Sequence, residues 1–448
     1  MDEPFQAEQP TTSRRRSLLQ KWRNSIVFNK GDAPIVPEEH SPTEEAETQT
    51  QEPLHIEPVD LLPRLPPELC DRIIDHLFFD RRTLSACALT CRAWLPASRL
   101  HLFRHIRLQA NTIPPFLSIL IENPAIGVYV EDLMILVGSQ GFTIPEVIQM
   151  KTLQSLKEIL DRLPAVKSLR IPVFFRISVM ETLILSALSK SLQAISFSGL
   201  FITDLQALSE LLASFPHLQS VGISNEVLWL PAIRLPPPRV DQDTTSLPLR
   251  HLRICVPPRE HGAEEFVKWL DWRFRLSEVR SACIRYGEQF RSRGLPSGVS
   301  HLLSKLGPSL EKLELVMPRD ARIKGMHLDL GRCTNLKHIS FPGTKRYKDC
   351  PHMHNGHYFF PTWAAAFLSR VRTDSVRTIS FTINFQSNDE LRDLAHIEEI
   401  ALPLSRPEYS QLTKVEFKIG GRFELQIKRF IKEELPELYA RGIVSFDG

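Results

Sequence analysis

A six-residue pattern, h-x-x-h-x-h with h apolar and usually aliphatic, recurs ten times in this chain, and no other feature narrows its fold as far. It stands at Val130/Leu133/Ile135, Val166/Leu169/Ile171, Leu192/Ile195/Phe197, Leu218/Val221/Ile223, Leu249/Leu252/Ile254, Val279/Ala282/Ile284, Leu310/Leu313/Leu315, Leu336/Ile339/Phe341, Val376/Ile379/Phe381 and Leu412/Val415/Phe417. Successive first residues lie 36, 26, 26, 31, 30, 31, 26, 40 and 36 positions apart. In each cassette the last two apolar residues are two apart, the period of a strand that buries one face. Such recurrence is the mark of a repeat architecture, and the longer intervals leave room for a helix in each unit. A short strand cannot cover one face of a helix alone, so the units must stack their strands into a parallel sheet with the helices behind it.

The segments between cassettes carry matching helical signals. Leu153, Leu156, Ile159, Leu160 and Leu163 repeat at helical spacing, and Ser178-x-x-Glu181 and Thr203-x-x-Gln206 are capping boxes ahead of apolar runs. Pro164, Pro216 and Pro308 mark short links from helix to cassette. The stretch from Leu235 through Pro238 to Ser246 breaks the rhythm and reads as an inserted surface loop. Strand alternation turns Arg170, Ser196, Arg253, Arg285, Glu314, His338 and Lys414 away from the helices, with several further serines. Such a polar face suits recognition of a protein partner, and suits plain solvation equally well.

Residues 61–108 read differently. Pro66 and Pro67 sit at the entry to a helix, where a missing N–H costs nothing, and Leu69, Ile73, Ile74 and Leu77 repeat on one face behind them. A second stripe follows at Leu84, Cys87, Ala88 and Cys91, and a third segment carries Trp94, Leu95, Leu100 and Phe103. Three helices of this size make a core that is marginal alone. The expected fold class is therefore α/β: a small all-α unit, then an α/β solenoid over residues 109–448.

The helical unit resembles an F-box. The residues that carry the resemblance are Leu65-Pro66-x-Glu68-Leu69, then Ile73-Ile74, Leu77 and Leu84, then Leu89-Thr90-Cys91-Arg92-Ala93-Trp94, followed by Leu100 and Phe103. Thr90 stands where the family usually has an aliphatic residue. The resemblance implies docking onto a Skp-type adaptor, and through it onto the cullin and RING subunits of an SCF ubiquitin ligase. Carried over by position, Leu65, Pro66, Leu69, Ile73, Leu77 and Leu84 become the adaptor contacts, and Trp94 a packing residue. The cassettes are in turn similar to the irregular leucine-rich repeats that follow F-boxes, although they lack the regular Asn after each strand. Together these imply a substrate receptor whose repeat domain binds an unidentified protein target.

Residues 1–60 are set apart by charge. From Ser13 to Lys30 stand Arg14, Arg15, Arg16, Lys21, Arg23 and Lys30 with no carboxylate, and from Ala33 to Asp60 stand Glu38, Glu39, Glu44, Glu45, Glu47, Glu52, Glu57 and Asp60 with no Lys or Arg. Charge blocks mixed with proline bury too little apolar surface to offset ordering, so a disordered arm is expected. Arg14-Arg15-Arg16-Ser17 fits a basophilic kinase site or a weak nuclear import signal, and fits a solvated tail more simply. Over the whole chain 55 Lys and Arg oppose 52 Asp and Glu, a net +3, too small a surplus for a dedicated nucleic-acid binder.

The seven scattered cysteines fit a reducing compartment better than a disulfide framework. No apolar run approaches the ~18 residues of a membrane span, the richest being Ile113–Ile121 and Val128–Val137. A soluble chain of the cytoplasm or nucleus is expected. Cysteine and imidazole groups gather at Cys350, His352, His354 and His357, ligand types that suit zinc, but Pro351 and Gly356 favour a loop with nothing to fix it. Lys345, Arg346 and Tyr347 make that loop a better partner contact. Nucleotide-binding, nucleophile-elbow and zincin motifs are absent from the sequence, so no cofactor, metal or catalytic residue is assigned. Cys87 and Cys91, four apart on one stripe, read as buried small hydrophobes, and Trp269, Trp272 and Phe274 as packing residues. The reading from sequence is a non-catalytic substrate receptor. The alternatives are a repeat scaffold with no ligase role and, more weakly, a metal-dependent enzyme centred on Cys350 to His357.

Overall fold

Each of the ten cassettes becomes one strand of a twelve-stranded parallel sheet whose strand order is the order of the sequence. The computed structural model describes residues 66–136, 146–172, 191–198, 205–224, 247–256, 260–286, 297–317, 330–342, 361, 363–385, 394, 396–421 and 423–447. The expected arm at 1–60, the capping boxes at Ser178 and Thr203, the inserted loop at 235–246 and the Cys350 to His357 loop lie outside the described residues. The chain divides into a helical unit, residues 66–104 with 111–129, and a sheet unit, residues 105–110 with 130–447.

In the sheet unit the strands are β1 (His105–Gln109), β2 (Asp132–Leu136), β3 (Ser168–Pro172), β4 (Ala194–Ser198), β5 (Ser220–Ser224), β6 (His251–Val256), β7 (Ser281–Tyr286), β8 (Lys312–Val316), β9 (His338–Phe341), β10 (Thr378–Phe385), β11 (Lys414–Gly421) and β12 (Val444–Asp447). Their register aligns the cassettes residue for residue. Leu133, Leu169, Ile195, Val221, Leu252, Ala282, Leu313, Ile339, Ile379 and Val415 form one continuous buried row. The third cassette positions form a second row, which ends in stacked Phe341, Phe381 and Phe417, with ring centroids 5.1 and 5.3 Å apart. Trp363 and Phe367 meet Phe341 edge-on from the helical side at 5.4 and 5.8 Å, so these rows face the helices.

The polar residue after the first apolar position of the first nine cassettes closes the stack. Its carbonyl accepts two N–H groups from the next repeat, as Lys167 and Ser168 donate to Glu131 at 2.8 and 3.0 Å and Lys337 and His338 donate to Glu311 at 2.9 and 3.0 Å. The same device recurs at Lys167, Gln193, Gln219, Arg250, Arg280, Lys337 and Arg377. This ladder satisfies the backbone groups at the entry to each strand. Side chains reinforce it, with Asn335 Nδ2 donating to the Pro308 carbonyl at 2.7 Å and Thr373 Oγ1 to the Thr334 carbonyl at 3.0 Å.

Two strands lie beyond the ten cassettes. β12 ends the sheet after Gly442, where Arg441 stands in the first apolar position. β1 begins at His105, inside the segment expected to close the helical unit. Its residues Phe103, Ile106 and Leu108 fit the cassette pattern, whereas the sequence reading places Phe103 in the third helical segment and leaves Ile106 and Leu108 unassigned within the bounds 61–108 of the helical unit.

The helical unit holds α1 (Pro67–His76), α2 (Arg81–Thr90), α3 (Leu95–Phe103) and α4 (Ile113–Glu122). Proline opens α1, and Asp80 caps α2 by accepting from Arg82 N at 3.0 Å and Thr83 N at 3.1 Å. The Thr83 hydroxyl donates to the same carboxyl at 2.6 Å and leads the interactions that hold it below the ordinary carboxylate range. Cys70, Ile74, Leu84, Cys87, Phe116 and Leu120 are buried. Cys91 departs from expectation: α2 ends at Thr90, Cys91 is extended at φ −153°, and its thiol is exposed rather than on the buried stripe. Thr90 turns its hydroxyl back onto the Ala86 carbonyl at 3.0 Å. Helix α4 is the run Ile113–Ile121, which sequence had flagged only as apolar.

Candidate functional site

On α1 the apolar arc is wider than the face the unit buries. Cys70 and Ile74 turn inward, while the neighbouring stripe stays open, Leu69 at 44% and Ile73 at 43% exposure. Pro66 is exposed beside it and Leu77 is half-buried. Leu84 does not belong to this surface. It is completely buried on the inner stripe of α2, so its assignment as an adaptor contact is corrected: its side chain fills the unit's interior and has nothing left to offer a partner. Leu65 lies outside the described residues. Trp94 is half-buried at the start of α3.

Further exposed apolar side chains of the unit are Phe78 and Phe79, which the sequence reading did not single out, and Leu89, which it named only for the F-box resemblance. Phe79 is 86% and Leu89 87% exposed, and Phe78 lies against Phe79 with ring centroids 3.6 Å apart. His101 Nε2 reaches Asp75 Oδ1 at 2.7 Å, tying α3 to α1.

In the sheet unit, Arg170, Ser196, Arg253, Arg285, Glu314, His338 and Lys414 all stand on the face opposite the buried rows, spread over three outward register rows: Arg170, Ser196, Arg253 and Glu314 in one, His338 and Lys414 in a second, and Arg285 in a third. Near its start Asp132 is approached by His105 Nδ1 at 3.4 Å and Arg170 Nη2 at 3.9 Å. Ser196 sits beside Gly222, where an added Cβ would come within 2.6 Å of its hydroxyl oxygen. Across β9 and β10, Ser380 donates to Ser340 at 2.9 Å.

The middle of the face carries two cysteines not anticipated there. Cys255 and Cys283 are buried, and Cys283 Sγ donates to Glu314 Oε1 at 3.1 Å, which Arg285 Nη2 also approaches at 3.7 Å. Toward the end, Glu416 is engaged by Lys414 and by Lys418 at 3.5 Å, and the Lys414 hydrogen bond leads the interactions that lower its pKa. His338 is held below the ordinary imidazole range, first by burial and then by Lys312.

Trp269 and Phe274 are buried, Trp269 donating to Ser209 Oγ at 2.7 Å, while Trp272 is partly exposed. Among the described residues no group of three or more His, Cys, Asp or Glu is placed to hold a metal, and no helix is long and apolar enough to cross a membrane.

No family model and no curated protein matches the chain. Among solved structures it is similar to a Bacteroides fragilis protein, with 13% identity and a TM-score of 0.31, over 69% of this chain and 73% of that one. It is also similar to the yeast Rad7 and Elc1 complex, with 13% identity and a TM-score of 0.34, over 85% of this chain and 89% of that one. Neither likeness is close enough to bear on fold or function.

Proposed function

We propose that the chain is the substrate-recognition subunit of an SCF-type ubiquitin ligase. The helical unit docks a Skp-type adaptor, which brings the cullin and RING subunits, and the open face of the sheet holds the protein to be modified. The chain itself is non-catalytic on this reading. It contributes by tethering, which raises the effective concentration of a target lysine near the charged ubiquitin carrier.

The observation that carries the reading is the bare stripe of Leu69 and Ile73, exposed on a helix whose inner stripe is buried. Contiguous exposed apolar side chains on a small helical unit mark an interaction site. Covering a Leu or Ile gains about 1.5–3 kcal/mol each before the costs of association are met. The F-box resemblance places adaptor contacts on these same positions.

The test is co-expression with a Skp-type adaptor. Wild type should retain the adaptor through purification, and a Pro66→Ala, Leu69→Asp double variant should lose it, because a carboxylate forced into an apolar interface goes unpaired. A folded wild type that ignores the adaptor would leave a repeat scaffold with no ligase role.

A further inference from the structure

On the open face from β6 to β11 Arg253, Lys312, Lys414 and Lys418 stand proud, Arg285 is held down against Glu314 at 29% exposure, and the carboxylates lie low. Glu314 is 22% and Glu416 13% exposed, and each is engaged by cationic neighbours, whereas Lys414 is 45% and Lys418 50% exposed. Arg253 and Lys312 are exposed as well, and neither forms an ion pair with a carboxylate among the described residues. The outermost charge of this surface is therefore positive, although the chain as a whole is nearly neutral at +3.

Two of the cations, Lys312 and Lys414, share one register row, and Arg253 and Lys418 stand in the next two rows on one side of it. Lys312, His338, Thr378 and Lys414 are register partners along one row, with Arg253 in the adjacent row two strands before Lys312. At about 4.8 Å between neighbouring strands, the five intervals from β6 to β11 span about 24 Å, the length of roughly seven residues of extended chain. Described outward positions on these strands carry no Phe, Tyr or Trp. Stacking platforms for unpaired bases are thus absent from them.

We propose that this face binds an extended acidic protein segment laid across strands β6 to β11, its carboxylates answered by Arg253, Lys312, Lys414 and Lys418. Charge complementarity selects the occupant, and the row spacing sets its length. The proposal rests on the receptor reading, since it names the class of target that the sheet would hold.

The experiment uses the full chain without adaptor and a fluorescein-labelled peptide of eight residues alternating Glu and Ser, read by fluorescence anisotropy. Binding should weaken as salt rises. It should fall at least tenfold in an Arg253→Glu, Lys312→Glu variant and in the milder Lys312→Ala, Lys414→Ala variant. Lys268→Glu, a charge reversal on a helix that spans Glu260–Arg273, should leave it unchanged. Thermal unfolding of each variant separates lost binding from lost fold. No binding of the acidic peptide, equal binding by the folded variants, or tighter binding of a single-stranded oligonucleotide through the same residues would overturn the proposal. Adaptor retention measured on the same variants keeps the two readings apart, because these substitutions should leave it intact.

Discussion

Cys283 donates its thiol hydrogen to Glu314 Oε1 across 3.1 Å, from one strand to the next on the open face of the sheet. Burial, with Glu314 acting in the same direction, pushes this thiol up to about 11, and burial pushes Cys255 up to about 11. Both are thiols rather than thiolates at neutral pH and are poor nucleophiles. Under brief iodoacetamide treatment of native protein, mass mapping should find Cys91 alkylated well before Cys255 or Cys283. Labelling of Cys283 at the pace of Cys91 would contradict the packing described.

His338 should make the sheet unit acid-sensitive. Burial lowers its pKa, with Lys312, Lys418 and Lys414 acting in the same direction against Glu416. A depressed folded pKa means the unfolded chain takes up the proton first. The contribution is therefore intact above pH 6.5, the ordinary value, and is lost as pH falls through the lower folded value. Urea unfolding as a function of pH should show a shallower acid-side slope for His338→Asn than for wild type. Superimposable slopes would remove His338 from the account.

Gly421 closes β11 at φ +97°, and a Cβ there would meet the Phe385 carbonyl oxygen at 2.2 Å and Asn384 Oδ1 at 2.9 Å. Neither the backbone angle nor the neighbouring strand admits a side chain. Gly421→Ala should cost about 2 kcal/mol or more in denaturant unfolding. By contrast, Gly307, with φ +55° and nothing within 4 Å of an added Cβ, carries only the conformational penalty. Equal losses at the two sites would mean that the strand neighbours do not matter.

Leu84 and Leu69 should separate stability from binding. Leu84 is completely buried, so Leu84→Ala should cost about 2–5 kcal/mol. Leu69 is 44% exposed, and Leu69→Asp should change stability by no more than about 1 kcal/mol. Denaturant midpoints of the two variants check this. The order would be reversed if Leu69 were the core residue.

The sheet was largely legible because its signal is periodic. Each cassette repeats the two-residue alternation, and register then follows from keeping the same positions buried. β1 escaped because Phe103, Ile106 and Leu108 also fit the end of a helical unit, and β12 because Arg441 interrupts the pattern. The carbonyl ladder was visible only as the polar residue after each first apolar position, a composition clue that does not reveal a backbone bond. Site prediction fared unevenly for a similar reason. Alternation correctly placed Arg170 to Lys414 on one face, but a family position cannot say which side of a helix a small core needs, and Leu84 went inward. Cys255 and Cys283 were overlooked on that face because apolar and thiol side chains do not announce an outward strand position.

The central claim is that the helical unit is an adaptor dock. Calorimetric titration of a purified Skp-type adaptor into the full chain tests it most directly. The account predicts a dissociation constant of about 1 μM or tighter for wild type, and at least a hundredfold weakening for Leu69→Asp with the fold intact. Absence of measurable heat from a folded wild type, or equal affinity for Leu69→Asp, would contradict it.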